Sequence, residues 1–211
     1  MSSNPFLSKF NTPFNTIPFD KITVDHYLPA FEEGIKQGLS EIDSIVTNKE
    51  TPTFANTIEA LEKVGPLLEI VGSTFSNLNL AETSKEMQAL AKVISPKLSD
   101  YSNDIILNDA LFKRVEAVYA VKNTLTLTPE QNTLLDKTYK GFVRNGSKLN
   151  TEQKEKLRII DKEKSQCSLT YSENVLAESN AFELVITNVY DLAGLPEGTI
   201  EAAKITAKEK G

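Results

Sequence analysis

Apolar residues recur at every third or fourth position through most of the chain, which is the pattern of amphipathic α-helices. The first such row predicts a helix that begins near residue 24 and ends before a break at 48–52. Its members are Tyr27, Phe31, Ile35, Leu39, Ile42 and Ile45. We therefore expect this helix to bury one face.

Two further rows keep their spacing past a proline. One contains Ile58, Leu61, Val64, Leu68, Val71, Phe75 and Leu78, and the other contains Met87, Leu90, Ile94, Leu98, Tyr101 and Ile105. Pro66 interrupts the first row and Pro96 the second. Because the apolar spacing continues past both prolines, the pattern predicts one kinked helix at each place.

Polar pairs three residues apart mark the starts of the later helices, because the two side chains of such a pair can cap each other's backbone. The pairs are Thr83–Glu86, Thr128–Gln131 and Asn150–Gln153. Pro129 suits the first helical position, and Gly146 suits the end of that helix. The last of these helices is expected to run to about residue 180 with an apolar row of Leu157, Ile160, Cys167, Tyr171 and Val175.

The two ends of the chain have different patterns. Three prolines before residue 23 predict an extended arm, and its four phenylalanines are expected to lie against the body. Near the other end, alternating apolar residues and β-branched neighbours favour a strand at 182–187. A turn-rich segment and a short helix from about Pro196 to Lys208 follow that strand.

These elements predict an all-α protein, an irregular multi-helix bundle with at most one short strand. No unit recurs at a period typical of helical solenoids. We expect three parts: an extended arm at 1–23, a helical domain at 24–180, and a strand, turn and short helix at 181–211.

Composition excludes several classes of function. The net charge of −6 and the pI near 5.0 argue against a nucleic-acid partner, and no stretch approaches the ~18 apolar residues of a membrane span. The chain has one histidine, His26, and one cysteine, Cys167. A zinc site needs three or four ligands, so we expect no catalytic, cofactor-binding or metal-binding residue here.

The remaining polar groups have structural interpretations. His26 lies at a helix start, where we expect it to hydrogen-bond nearby backbone. The carboxylates at 32–33, Glu41 and Asp43 are expected on a solvated face, and Cys167 in the core. A basic run, Lys137, Lys140, Arg144 and Lys148, is at most a weak phosphate or nucleic-acid site.

Several segments together resemble a known enzyme family. They include TPFNTIPFDKITVDHYLPAFEEGIKQGLSEID at 12–43, PTFANTIEALEK at 52–63, LTPEQNTLLDKTYKGFVRNGSKLN at 127–150 and the segment at 182–211. In this order they are similar to the N-terminal part of bacterial peptidyl-dipeptidases, which belong with oligopeptidase A in the thimet oligopeptidase family of zinc peptidases. The resemblance covers essentially the whole chain.

The resemblance implies a role without chemistry of its own. The family's zinc site uses HExxH, and this chain has a single histidine. We therefore expect an inactive N-terminal fragment that forms a wall and cover of the peptide channel. Zinc and short peptide substrates would belong to the full-length enzyme, with its catalytic half as the fragment's partner, in the cytoplasm. Self-association of the fragment is a further expectation.

A second hypothesis comes from a different class of protein. A free-standing helical binding or adaptor module could share this ancestry without any peptidase activity. An HExxH sequence beyond Gly211 in the gene would decide for the enzyme.

Overall fold

The computed structural model describes residues 4–211, and within that range it contains helices and no strand. This confirms the all-α prediction. The helices are α1 Val24–Thr47, α2 Ala60–Glu62, α3 Pro66–Ala81, α4 Lys85–Ile106, α5 Asp109–Ala120, α6 Pro129–Arg144, α7 Thr151–Ala181 and α8 Glu197–Lys210. A π-helical segment, Phe54–Glu59, leads directly into α2.

The chain forms two compact units, Met1–Tyr171 and Ser172–Gly211. In the first unit, α1 packs against α3, α4 and α5, and α5 packs against α6. The long helix α1 therefore contributes to both apolar cores of that unit.

The two cores combine members of the predicted apolar rows with residues that no row predicted, chiefly those of α5. One consists of Ile42, Ile45, Phe54, Ile58, Leu111, Phe112, Val115, Val118, Leu135 and Phe142. The other consists of Phe6, Tyr27, Ala30, Phe31, Val71, Phe75, Met87, Ala91 and Ile94. Burying each large side chain in these cores stabilises the fold by about 1.5–3 kcal/mol relative to exposure.

The predicted kink at Pro66 is wrong, because the structure has a helix break there. Gly65 adopts a left-handed conformation at φ +77°, which only glycine accepts without strain, and Pro66 begins α3. The Gly65 amide donates a hydrogen bond to Glu41 Oε2 at 2.7 Å. The apolar spacing nevertheless continues from α2 into α3. The reason is that the connection, 63–65, has three residues, which is close to the 3.6 residues of one helical turn. At Pro96, in contrast, α4 continues.

The predicted helix starts are mostly confirmed. Thr128 and Gln131 form a capping box at α6, and Asn150 and Gln153 bond each other's backbone before α7. Gly146, at φ +99°, follows the end of α6. The exception is α4, whose cap is Ser84, one residue later than predicted, with its hydroxyl accepting from the Met87 amide.

The arm lies partly on the body. Its first three residues are outside the described range. Phe6 is buried with its ring centroid 5.3 Å from that of Tyr27, and Phe10 packs against the same core. Phe14 and Phe19 are exposed, contrary to the expectation that all four phenylalanines would be covered. Phe14 is 98% exposed and has a positive φ of 59°.

The second unit contains no buried residue. After α7, residues 182–188 have no regular secondary structure, so the strand favoured by their sequence is not formed in this chain. The physical reason is that a strand needs a partner for its backbone hydrogen bonds, and residues 4–211 offer none. A short 3-10 turn, Val189–Leu192, precedes α8, and Lys210 of α8 pairs with Glu183.

Candidate functional site

His26 is the third residue of α1 and closes its N-terminus. Its Nδ1 accepts from the Thr23 amide at 3.0 Å and lies 3.2 Å from the Thr23 hydroxyl, which makes a capping box with histidine in the usual position of glutamate. The His26 carbonyl accepts from Asn4 Nδ2 at 2.8 Å. The interpretation as a helix-start histidine bound to nearby backbone is confirmed.

The acidic residues of α1 serve separate contacts and do not form an acid–base pair. Glu33 accepts from Gln37 and Lys36, and these hydrogen bonds, chiefly that of Gln37, lower the pKa of its carboxyl. Glu32 pairs with Lys97 of α4 at 2.9 Å. Asp43 is exposed.

Glu41 is half-buried, unlike the solvated carboxylate that its sequence suggests. It holds the Gly65 amide, as described above. Its charge also adds to the effect of burial in raising the pKa of Tyr101. Glu41 therefore fixes the α2–α3 connection, which is a structural role.

The basic run in α6 and the turn after it is not assembled into an anion site. Lys140 and Lys122 both bind Asp136, and their hydrogen bonds, that of Lys122 first, lower the pKa of this carboxyl to about 2. Lys148 donates to the Tyr139 hydroxyl at 3.1 Å and pairs with Glu116 at 3.3 Å. The two other cations of the run are exposed on the surface: Lys137 and Arg144.

Cys167 is exposed, so the prediction that it lies in the core is wrong. It belongs to the apolar row predicted for α7, in which Leu157 is half-buried but Ile160, Tyr171 and Val175 are exposed. Leu169 packs against one core, Lys154 is buried, and Arg158 and Lys162 pair with acidic residues of α4.

The sequence analysis did not predict that two cationic side chains, Arg114 and Lys154, are buried. Arg114 of α5 is 8% exposed, and its guanidinium donates to the Asn48 carbonyl at 2.9 Å, to the Glu50 carbonyl at 3.3 Å and to Asn56 Oδ1 at 3.2 Å. Lys154 of α7 is 6% exposed. No local pattern distinguishes such residues from the exposed lysines and arginines around them.

Lys154 joins α7 to the start of α5. Its ammonium donates to the Leu107 carbonyl at 3.1 Å and pairs with Asp109. Both buried cations therefore hold backbone carbonyls in place.

Two cavities flank the arm. One of about 380 Å³ is lined mainly by Phe6, Phe10, Ile17 and Ile70. Its neighbour, of about 440 Å³, adds Glu33 and Gln37. The ionisable groups lining these two cavities are Lys9 and Glu33, a set that offers neither a nucleophile with its base nor a set of metal ligands.

The donor set does not fit the zinc that the resemblance implies. In the described range, 4–211, no group of three or more His, Cys, Asp or Glu residues is placed to hold a metal ion. The Nδ1 of His26 is engaged by the Thr23 amide, and Cys167 lies on the surface. No catalytic step can be assigned to zinc held by these residues.

Between residues 4 and 211, no helix is both long and apolar enough to cross a membrane.

Curated relatives match the chain from end to end. It is 38% identical over 211 residues to a dipeptidyl carboxypeptidase of Salmonella typhimurium, covering 100% of this chain and 31% of that protein. The dipeptidyl carboxypeptidase of Escherichia coli is 38% identical over 99% of the chain and 30% of its own length. Oligopeptidase A of Escherichia coli is 28% identical over the same shares.

No protein-family profile matches the chain. The alignments to these relatives nevertheless cover the whole of this chain, and in each case the matched part is the N-terminal third of the relative. The chain therefore belongs with the dipeptidyl carboxypeptidases and oligopeptidases A, and it spans about three tenths of the length of such a protein.

Proposed function

We propose that this chain is the non-catalytic helical portion of a zinc oligopeptidase that releases C-terminal dipeptides from short peptides. In this role it forms a wall and cover of the channel that leads to the metal. The observation that carries the proposal is the 38% identity to dipeptidyl carboxypeptidase over the whole chain.

The described residues support a scaffolding role. Each polar group considered as a catalyst has a structural partner or is exposed, and the buried cations hold loops and helix ends. The residues of the first unit pack into two cores around α1. A rigid helical body of this kind can bound a channel without contributing to the reaction.

The chemistry would belong to the part of the protein outside this chain. A zinc ion bound there would supply the activated water that peptide-bond hydrolysis needs. Short unfolded peptides are the substrate class, because a channel with a helical wall excludes folded proteins. We place the whole enzyme in the cytoplasm.

A chimera tests this proposal. The chain is joined to the part of Escherichia coli dipeptidyl carboxypeptidase that lies outside the matched region, and dipeptide release from a fluorogenic peptide is measured. We expect the chimera to cleave and the chain alone to be inactive and free of stoichiometric zinc after dialysis. The matched control is the Escherichia coli remainder without any N-terminal portion, which should lose activity or length discrimination.

Two outcomes would contradict the proposal. Cleavage or one tightly held zinc in the chain alone would show that it has a site of its own. A well-folded chimera without activity would favour the free-standing binding module.

A further inference from the structure

The segment 182–188 has the alternating pattern of a half-buried strand. Phe182, Leu184 and Ile186 share one face of an extended chain, because successive side chains of a strand point to opposite faces. All side chains of the segment are exposed. The segment therefore presents one continuous apolar face that packs against nothing in the second unit.

The backbone of this segment is also open. Among the described residues, 4–211, no amide from 183 to 187 donates a hydrogen bond. None of these residues has a positive φ, and Asn188 is extended at φ −98° and ψ 117°. A run of open amides and carbonyls beside an apolar face is a template for pairing with another strand. We call 182–188 the docking edge.

Helix α8 returns the polypeptide to the beginning of the docking edge. Lys210, the last residue of α8, pairs with Glu183, the second residue of the edge. The 14 residues of α8 extend about 21 Å along its axis. When extended, 182–188 spans about 20 Å, which is nearly the same length. The polypeptide therefore leaves α8 close to the first residues of the docking edge.

An open strand followed by a returning helix is the first part of a β–α–β unit. Two parallel strands need a crossover of about a dozen residues or more, which is usually a helix. Residues 189–211 are long enough for this crossover and include α8. A strand that begins soon after Gly211 would run beside the docking edge in the same direction.

We propose that the docking edge pairs with a parallel strand formed by the residues that follow Gly211 in the full-length oligopeptidase. This inference rests on the proposed function, because it takes the chain as the N-terminal part of a longer enzyme. Every second residue of the edge would exchange backbone hydrogen bonds with the new strand. Phe182, Leu184 and Ile186 would enter an apolar layer that the new strand shares.

Two observations favour this strand over one from a second copy of the chain. The pair of Lys210 with Glu183 puts the exit from α8 at the end of the docking edge where a parallel neighbour has to begin. A segment tethered there has an effective concentration of order mM. Two copies, in contrast, would each bring a net charge of −6 and repel each other.

Hydrogen exchange measures whether the strand forms. The chain alone and the chimera described above, which continues past Gly211, are compared with single-amide resolution. We expect fast exchange at 183–187 in the chain alone. In the chimera we expect exchange at alternate amides to be at least about tenfold slower, because a strand with one neighbour directs every second amide toward it.

Cysteine cross-linking tests the direction of the neighbour. In chimeras that carry Cys167→Ser, Phe182→Cys or Ile186→Cys is combined with single cysteines placed along the residues after Gly211. Disulfides formed under mild oxidation are located by mass spectrometry. We expect Phe182→Cys to cross-link closer to Gly211 than Ile186→Cys does. The matched control is Val185→Cys, which lies on the opposite face of the edge and should cross-link only at the intervening positions.

Each outcome has one meaning. An active chimera in which 183–187 exchange as fast as in the chain alone, or in which no cross-link forms, overturns the docking edge and leaves the proposed function intact. Equal slowing at all five amides, or the reverse order of cross-links, also overturns the parallel pairing. Slowing that depends on the concentration of the chimera would assign the edge to a second copy and overturn the proposal. A folded, inactive chimera with slowed alternate amides would support the docking edge and contradict the proposed function.

Discussion

Arg114 shows how one buried side chain can organise a loop that has no secondary structure of its own. Its guanidinium holds two backbone carbonyls of the α1–α2 connection and the side chain of Asn56. Loss of these bonds would leave buried acceptors without donors. We expect Arg114→Met to lower the free energy of unfolding by about 2–4 kcal/mol in urea denaturation.

The neighbouring residue provides the control for Arg114. Lys113 is exposed on the same helix, so Lys113→Met should change the free energy of unfolding by less than about 0.5 kcal/mol. Equal effects of the two substitutions would mean that the guanidinium contacts do not stabilise the loop.

Asp136 provides a pH-dependent test at the same scale. Hydrogen bonds from Lys122 and Lys140 lower its pKa from 3.8 to about 2. Because the folded pKa is depressed, the ionised carboxyl stabilises the fold above pH 3.8, and this contribution is lost as the pH falls through about 2. In an NMR titration, we expect Lys122→Met to raise the pKa of Asp136 more than Lys140→Met does. The opposite order would contradict the assignment of Lys122 as the main partner.

The roles of single residues were predicted well where their hydrogen-bond partners lie close by in sequence. The role of His26 follows from its position at a helix start, and its partner Thr23 is only three residues away. Cys167 was misplaced because periodicity reports which residues share a face but not where that face points. Arg114 was missed because its acceptors lie 58–66 residues away in sequence.

At the scale of elements, α4 begins one residue later in the structure than the capping pattern predicts. The pattern predicts Thr83 as the cap, whereas the Ser84 hydroxyl accepts from the Met87 amide at 3.2 Å. Thr83 instead donates to Asn79 Oδ1. We expect Ser84→Ala to destabilise the protein by about 1 kcal/mol, as loss of a helix cap does, and Thr83→Ala to cost less. A larger loss for Thr83→Ala in urea denaturation would restore the cap predicted from sequence.

Helices could be predicted because their apolar rows are long and regular, while their connections depended on conformations that the rows do not encode. The helices α1, α4, α6, α7 and α8 match predicted rows, caps or segments, whereas no row or cap predicted α5. The sequence pattern did not predict the helix break at Gly65, because the short connection there leaves the apolar spacing from 58 to 78 unchanged. The segment 182–188 has strand-forming residues, but strand formation requires a partner that a sequence pattern does not supply.

At the scale of the whole molecule, the family was more predictable than the contacts. The shortage of metal ligands follows directly from one histidine and one cysteine, and the family follows from segments spread along the whole chain. The exposure of Cys167 required the structure, because the sequence pattern does not show which side of α7 faces α4.

The second unit carries the last prediction, because its apolar side chains are in water. Phe182 is 75% exposed, Leu184 74%, Ile186 41% and Leu195 44%. We predict that the chain alone either self-associates through this region or holds residues 181–211 loosely, with fast amide exchange at 182–188. Hydrogen exchange and light scattering test this together. A strictly monomeric chain whose residues 181–211 are as protected as α1 would refute the prediction.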